Sequence, residues 1–114
     1  MRYILIVGFA LTCVISCNQS NPGSSNTNGV ILVTVTQTGN LPEPGKQIEL
    51  VEKHDTMVTD LNGRVVFVVA PGTYTVRGYG MNHGGPAVAY MDSTAVVKAG
   101  DTTRIGFWDC PECL

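Results

Sequence analysis

The sequence predicts an all-β protein built as one small antiparallel sandwich of six or seven short strands. Three observations carry this expectation. Apolar and polar residues alternate over short runs from Val30 onward. Clusters of Gly, Pro, Asn and Asp separate the runs. No segment joins a helical apolar period to capping residues.

The strands follow in order. Val30 to Gln37 alternates apolar residues and Thr at its end, with Ile31, Val33 and Val35 on one face. Asn40-Leu41-Pro42-Glu43-Pro44-Gly45 reads as a turn, because its two prolines bar a hydrogen-bond ladder through it. Lys46 to Glu52 makes a second strand with Ile48 and Leu50 inward. Asp60-Leu61-Asn62-Gly63 reads as a hairpin turn, since Asn and Gly accept positive φ. Arg64 to Val69 is almost wholly apolar and is expected to be a central strand covered on both faces. Ala70-Pro71-Gly72 turns the chain into Thr73 to Gly78, with Tyr74 and Val76 inward and Thr73, Thr75 and Arg77 outward. Gly80 to Pro86 is a Gly-rich loop, expected to be mobile and solvated. Ala87 to Tyr90, Thr94 to Ala99 and Thr102 to Trp108 complete the set.

Three pieces of this pattern resemble carboxypeptidase regulatory-like domains. Pro44-Gly45 before Ile48 and Leu50, Thr59-Asp60-Leu61-Asn62-Gly63-Arg64-Val65-Val66-Phe67, and Pro71-Gly72-Thr73-Tyr74-Thr75-Val76 occur in that family's order. The resemblance covers about residues 30 to 79 and implies a seven-stranded Greek-key sandwich, immunoglobulin-like or prealbumin-like. The residues explain themselves physically as well. Asp60 closes an Asx-type turn, Gly63 permits left-handed backbone, and Tyr74 buries its ring while its hydroxyl reaches backbone, as in a tyrosine corner.

Residues 1–16 have the layout of a secretory signal. Arg2 gives a positive start, and an apolar run holds Ile4, Leu5, Ile6, Val7, Phe9 and Leu11. Val14-Ile15-Ser16-Cys17 resembles the lipobox of bacterial lipoproteins, which implies cleavage before Cys17 and its acylation. The competing reading is an ordinary secretory signal that ends near a cysteine. Residues 18–29 are polar, with no apolar side chain to bury, a tether that would hold the remaining domain, residues 30–114, about 20 Å from a lipid anchor. Asn18 rather than Asp follows Cys17, which favours the outer membrane over inner-membrane retention.

Composition narrows the function. The 114-residue chain has a net charge of −2, and losing Arg2 makes it more acidic. It has no basic stripe for nucleic acid and no cationic amphipathic helix for a membrane surface, so attachment is expected through lipid. A folded part of roughly 80 residues buries only about 60–65% of its unfolded surface, leaving little spare stability for a deep pocket.

Cys110-Pro111-Glu112-Cys113 is the sharpest chemical motif. A thiol–disulfide oxidoreductase sets such a pair at a helix N-terminus, and neither that helix nor a βαβ context is expected here. Zinc needs about four ligands, and His54 and His83 are not spaced as a pair. A local Cys110–Cys113 disulfide is the leading reading in an exported protein. Free thiols and intermolecular bridges remain open beside it. Ser93 has no nucleophile-elbow glycines around it, and His83 lies in a loop unsuited to holding a base, so no catalytic residues and no cofactor are expected. The purine-pathway signature of transthyretin-like enzymes is missing from this sequence. Residues 30–37 hold no Lys for a pilin-type cross-link. The expected function is a non-catalytic binding or structural module at the cell envelope, with a protein or glycan partner. The alternative is a metal- or thiol-dependent protein using Cys110 and Cys113. Candidate contact residues are Tyr79, Asn82, His83 and Trp108, from the Gly-rich loop and the strand ends.

Overall fold

The computed structural model describes residues 27–113. The Cys17 motif, the signal segment, most of the tether and Leu114 lie outside the described residues. Eight strands form two sheets: β1 (Gly29–Gln37), β2 (Leu41–Pro42), β3 (Gln47–Leu50), β4 (Asp55–Val58), β5 (Arg64–Val69), β6 (Gly72–Tyr79), β7 (Tyr90–Val97) and β8 (Thr102–Asp109). The architecture is an all-β sandwich.

In the first sheet β1 is central. One side pairs antiparallel with β5 from Gly29↔Val69 to Thr34↔Arg64, then with β2 at Thr36↔Pro42 and Gln37↔Leu41. The other side pairs with β8 in parallel, from Val30↔Thr102 to Gln37↔Asp109. The second sheet runs β4-β3-β6-β7, all antiparallel. The expectation of a wholly antiparallel sheet therefore fails at β1 and β8, the first and last strands, which lie side by side in the same direction.

Alternation is what builds the core. Ile31, Val33 and Val35 of β1, with Val65, Phe67 and Val69 of β5 and Ile105 and Phe107 of β8, face Ile48 and Leu50 of β3, Tyr74 and Val76 of β6, and Ala95 and Val97 of β7 across one apolar layer. Each fully buried aliphatic side chain contributes about 1.5–3 kcal/mol relative to exposure. The predicted inward sets of β1, β3 and β6 are all buried.

The strand count rises from seven to eight for local reasons. Leu41–Pro42 pairs with β1 despite the proline, because an edge strand needs no donor on its outer side. Asp55–Val58 was not expected as a strand. All four of its residues are exposed, so it has no buried face to produce an apolar period. It pairs with β3 through the 3-10 turn Val51–Lys53 and His54 at φ 52°, and here lies the true hairpin. The Asp60–Gly63 turn is no hairpin, since β4 and β5 belong to different sheets. Its predicted local chemistry is present. Asp60 Oδ1 accepts the N–H groups of Asn62 (2.8 Å) and Arg64 (3.0 Å), and Gly63 has φ 71°. Ala87 to Tyr90 is not a separate strand; β7 begins at Tyr90 and runs unbroken to Val97.

The doubly covered β5 is a clearer correction. Its burial alternates strictly, and Val68 is 63% exposed. The strand lies at a sheet edge with nothing stacked on its outer face. Its outward valines reflect the fit of β-branched residues to a pleated surface rather than burial.

Thr59 shows why the turn sequence has its form. It is buried, and its hydroxyl donates to the Glu43 carbonyl (2.7 Å) and accepts the Lys46 N–H (2.8 Å). It thereby clamps the approach to β3. Tyr74 donates its hydroxyl to the Ala70 carbonyl at 2.7 Å, the expected tyrosine corner.

Candidate binding face

The two outer faces of the sandwich differ in how far their polar groups satisfy one another. On the β3-β6-β7 face they are paired. Arg77 holds Asp92 through two nitrogens, Nε to Oδ1 at 2.7 Å and Nη2 to Oδ2 at 3.0 Å. Its guanidinium also lies 4.1 Å over the Tyr90 ring. Tyr79 donates its hydroxyl to Glu49 (2.6 Å) and packs at a tilt on Tyr90. Glu52 accepts both the backbone N–H and the hydroxyl of Thr75, at 2.7 and 2.8 Å. The titrations follow. The Arg77 guanidinium holds Asp92 below the ordinary carboxylate range, and the Glu49 carboxylate raises the Tyr79 phenol.

On the β5-β1-β8 face, register places outward residues in rows: Val68, Val30 and Thr102; Val66, Leu32 and Arg104; Arg64, Thr34 and Gly106; Pro42, Thr36 and Trp108. These rows carry two guanidiniums and no carboxylate. Neither Arg64 nor Arg104 has an ion-pair partner among the described residues. Asp60, in the adjoining turn, accepts two backbone N–H groups at Oδ1. Where β1 changes partner from β5 to β2, a groove of about 270 Å³ opens, lined by Thr34, Thr36, Asn40, Pro42, Asn62 and Arg64. Across β1, Gly106 adds no side chain, and nothing lies within 4 Å of where a β-carbon would stand. Beside that gap Trp108 is 42% exposed.

The Gly-rich loop passes beside Trp108. A β-carbon at Gly84 would stand 3.4 Å from the indole Cζ3, so the loop backbone lies against the ring. The loop itself is anchored rather than solvated throughout. Met81 is fully buried, its terminal methyl packed where a β-carbon at Gly78 would come within 2.7 Å. Asn82 is buried, its N–H donating to Asp109 Oδ1 (2.8 Å) and its side-chain amide to the Cys110 carbonyl (2.7 Å).

Beneath the loop lies a buried ionic cluster. Asp109 is 2% exposed and meets Lys46 Nζ at 3.0 Å. Lys46 also stands 3.5 Å from Glu43 Oε2 and donates to the Gly80 carbonyl at 3.0 Å. Burial raises the Glu43 carboxyl, helped by its hydrogen bond with Asp109 and opposed by Lys46. Burial also pushes Asp109 upward, but the Asn82 N–H, Glu43 and Lys46 together outweigh it and hold Asp109 below its ordinary value. The cluster ties the approach to β3, the Gly-rich loop and the end of β8 into one unit.

The four sequence-predicted contact residues divide between the two faces, with Asn82 and His83 in the loop that reaches Trp108 through Gly84. Tyr79 belongs to the paired face and Trp108 to the other. Asn82 is a buried tie between loop and strand. His83 follows at φ 43°, half-buried, with Nε2 unpartnered among the described residues. The sequence does not mark Arg64, Arg104 and the groove residues, because their shared face depends on the pairing of β1 with both β5 and β8. The sulfurs of Cys110 and Cys113 stand at disulfide distance, with Cα atoms 5.3 Å apart. Cys113 N–H donates to the Cys110 carbonyl at 3.0 Å, the tight reversal that Pro111 favours. Among the described residues no group of three or more His, Cys, Asp or Glu side chains is placed to hold a metal ion. Compared with protein-family models and with curated proteins, the sequence matches none.

Proposed function

We propose that the protein is an exported lipoprotein, anchored through acylated Cys17 to the outer membrane, whose sandwich is a non-catalytic binding module. The resemblance of residues 30 to 79 to carboxypeptidase regulatory-like domains belongs to the same reading, supported by the turn roles of Thr59, Asp60, Gly63 and Tyr74. The observation that carries the binding role is the contrast between the two faces. One satisfies its own charges, whereas the other displays Arg64, Arg104 and Trp108 without carboxylates in the same rows, in a chain of net charge −2. Unpaired cations beside an exposed aromatic on a rigid sheet make a contact surface.

The test is an amide chemical-shift map of the purified full chain in detergent micelles, titrated with solubilised envelope material. Shifts confined to β1, β5 and β8 are expected. Shifts confined to β6 and β7, or none at all, would remove the proposed face.

A further inference from the structure

Resting on that reading, we infer that the β5-β1-β8 face binds an acidic saccharide chain, one sugar ring stacked on Trp108 and a carboxylate paired with Arg64. Three independent features of the face converge on this ligand chemistry. The first is charge. Arg64 and Arg104 lie on the same face, with no acidic side chain in the rows between them. An anionic partner is thus attracted without displacing an internal ion pair, and a free guanidinium offers two parallel N–H groups to a carboxylate.

The second feature is the aromatic platform. An indole flanked on one side by Gly84 has less freedom to lose when a ring docks on its exposed part. The C–H edges of a sugar carry partial positive charge and suit the negative face of an aromatic ring. The third is shape and polarity. Between Trp108 and Arg64 lie only Thr34, Thr36 and the bare backbone of Gly106, so the surface is low and offers hydroxyl groups. Asn40 and Asn62 add amides at the groove wall. Hydroxyl and amide groups around a shallow groove match a polyhydroxylated chain better than an apolar helix.

Register also sets the length. Trp108 and Arg64 are two strands and two residues apart, about 12 Å, from strand spacing and rise. That backbone span is longer than one sugar ring, so an oligomer of roughly three rings is expected to engage the whole site.

Trp108 is the single tryptophan of the chain, so its fluorescence reports directly from the site. The experiment titrates the purified full chain in detergent with a trimeric hexuronate, the monomeric uronate, a neutral oligosaccharide of equal length and inorganic polyphosphate. Saturable change with the trimer is expected, at least about tenfold tighter than with the monomer or the neutral chain. It should weaken as sodium chloride rises from about 0.05 to 0.5 M. Arg64→Gln should weaken binding about tenfold or more. Gly106→Leu should block it while leaving the melting temperature within a few degrees, because its side chain enters open space. Equal binding of neutral and acidic chains overturns the role of Arg64. Binding of polyphosphate alone overturns the sugar. Trp108 shielding that depends on protein concentration, with a dimer in sedimentation, assigns the face to a second copy and overturns the inference. If the envelope titration perturbs this face and no saccharide does, the ligand class falls and the binding face stands.

Discussion

Gly63 sits in the Asp60 turn with no space for a side chain. Its φ of 71° is left-handed, and a β-carbon would meet the Val35 carbonyl at 2.5 Å and the Glu43 N–H nitrogen at 2.8 Å. Gly63→Val therefore adds a backbone clash to a strain of about 1–2 kcal/mol. His83→Ala removes a half-buried ring whose Nε2 has no partner among the described residues. Gly63→Val should lower the melting temperature by well over 10 °C, and His83→Ala by a few degrees at most; equal values would contradict the turn geometry. Asp109→Asn takes away the buried anion opposite Lys46 and should cost about 2–3 kcal/mol in chemical denaturation. The same cluster sets a pH dependence. Asp109 is held below its ordinary value, so its contribution is present above about pH 4 and lost as pH falls through the depressed folded value. Glu43 is raised, so its contribution is full below about pH 4 and lost as pH rises through the raised folded value. Stability should peak at mildly acidic pH. Glu43→Gln should flatten the decline on the alkaline side and Asp109→Asn the decline on the acid side, both read from melting temperature across pH 2 to 8.

Elements show where pattern carries information and where it stops. β1, β3 and β6 alternate in sequence and bury the residues that alternation selects. β4 has no buried side chain and left no trace. β5 is apolar on both faces although only one is covered, so composition points to a central strand at what is a sheet edge. The C-terminal turn is an element with its own prediction. A disulfide across so short a loop contributes about 2 kcal/mol at most in the chain-entropy account. Asn82 already holds the Cys110 carbonyl, and Thr38 donates to Glu112 at 2.9 Å. Reduction of purified protein should therefore lower the melting temperature by about 5–10 °C without unfolding the sandwich. A collapse on reduction would show that the turn anchors the fold, and a covalent dimer on non-reducing gels would show that the thiols serve assembly.

At the scale of the molecule, the proposed attachment and the proposed recognition fall on separate parts of the chain. The proposed anchor is one acylated cysteine beyond a polar tether, and the proposed contact face belongs to the sandwich. Cys17→Ala should release the protein from the membrane fraction while leaving far-ultraviolet circular dichroism and melting temperature unchanged. A processed variant that remains in the membrane fraction would refute the anchor. Sequence alone determined the all-β class, the inward residues of the regular strands, and the Asp60, Gly63 and Tyr74 devices, because alternation and turn chemistry act between near neighbours. It also marked Cys110 and Cys113 as partners, since a local turn brings them together. Only the tertiary structure decided that β1 and β8 run parallel and that the Asp60 turn crosses between sheets. It alone brought Lys46 to Asp109, and Arg64, Gly106 and Trp108 to one face. Those relations depend on which distant strands pair, and pairing is settled by burial of the whole apolar layer, which no local period encodes.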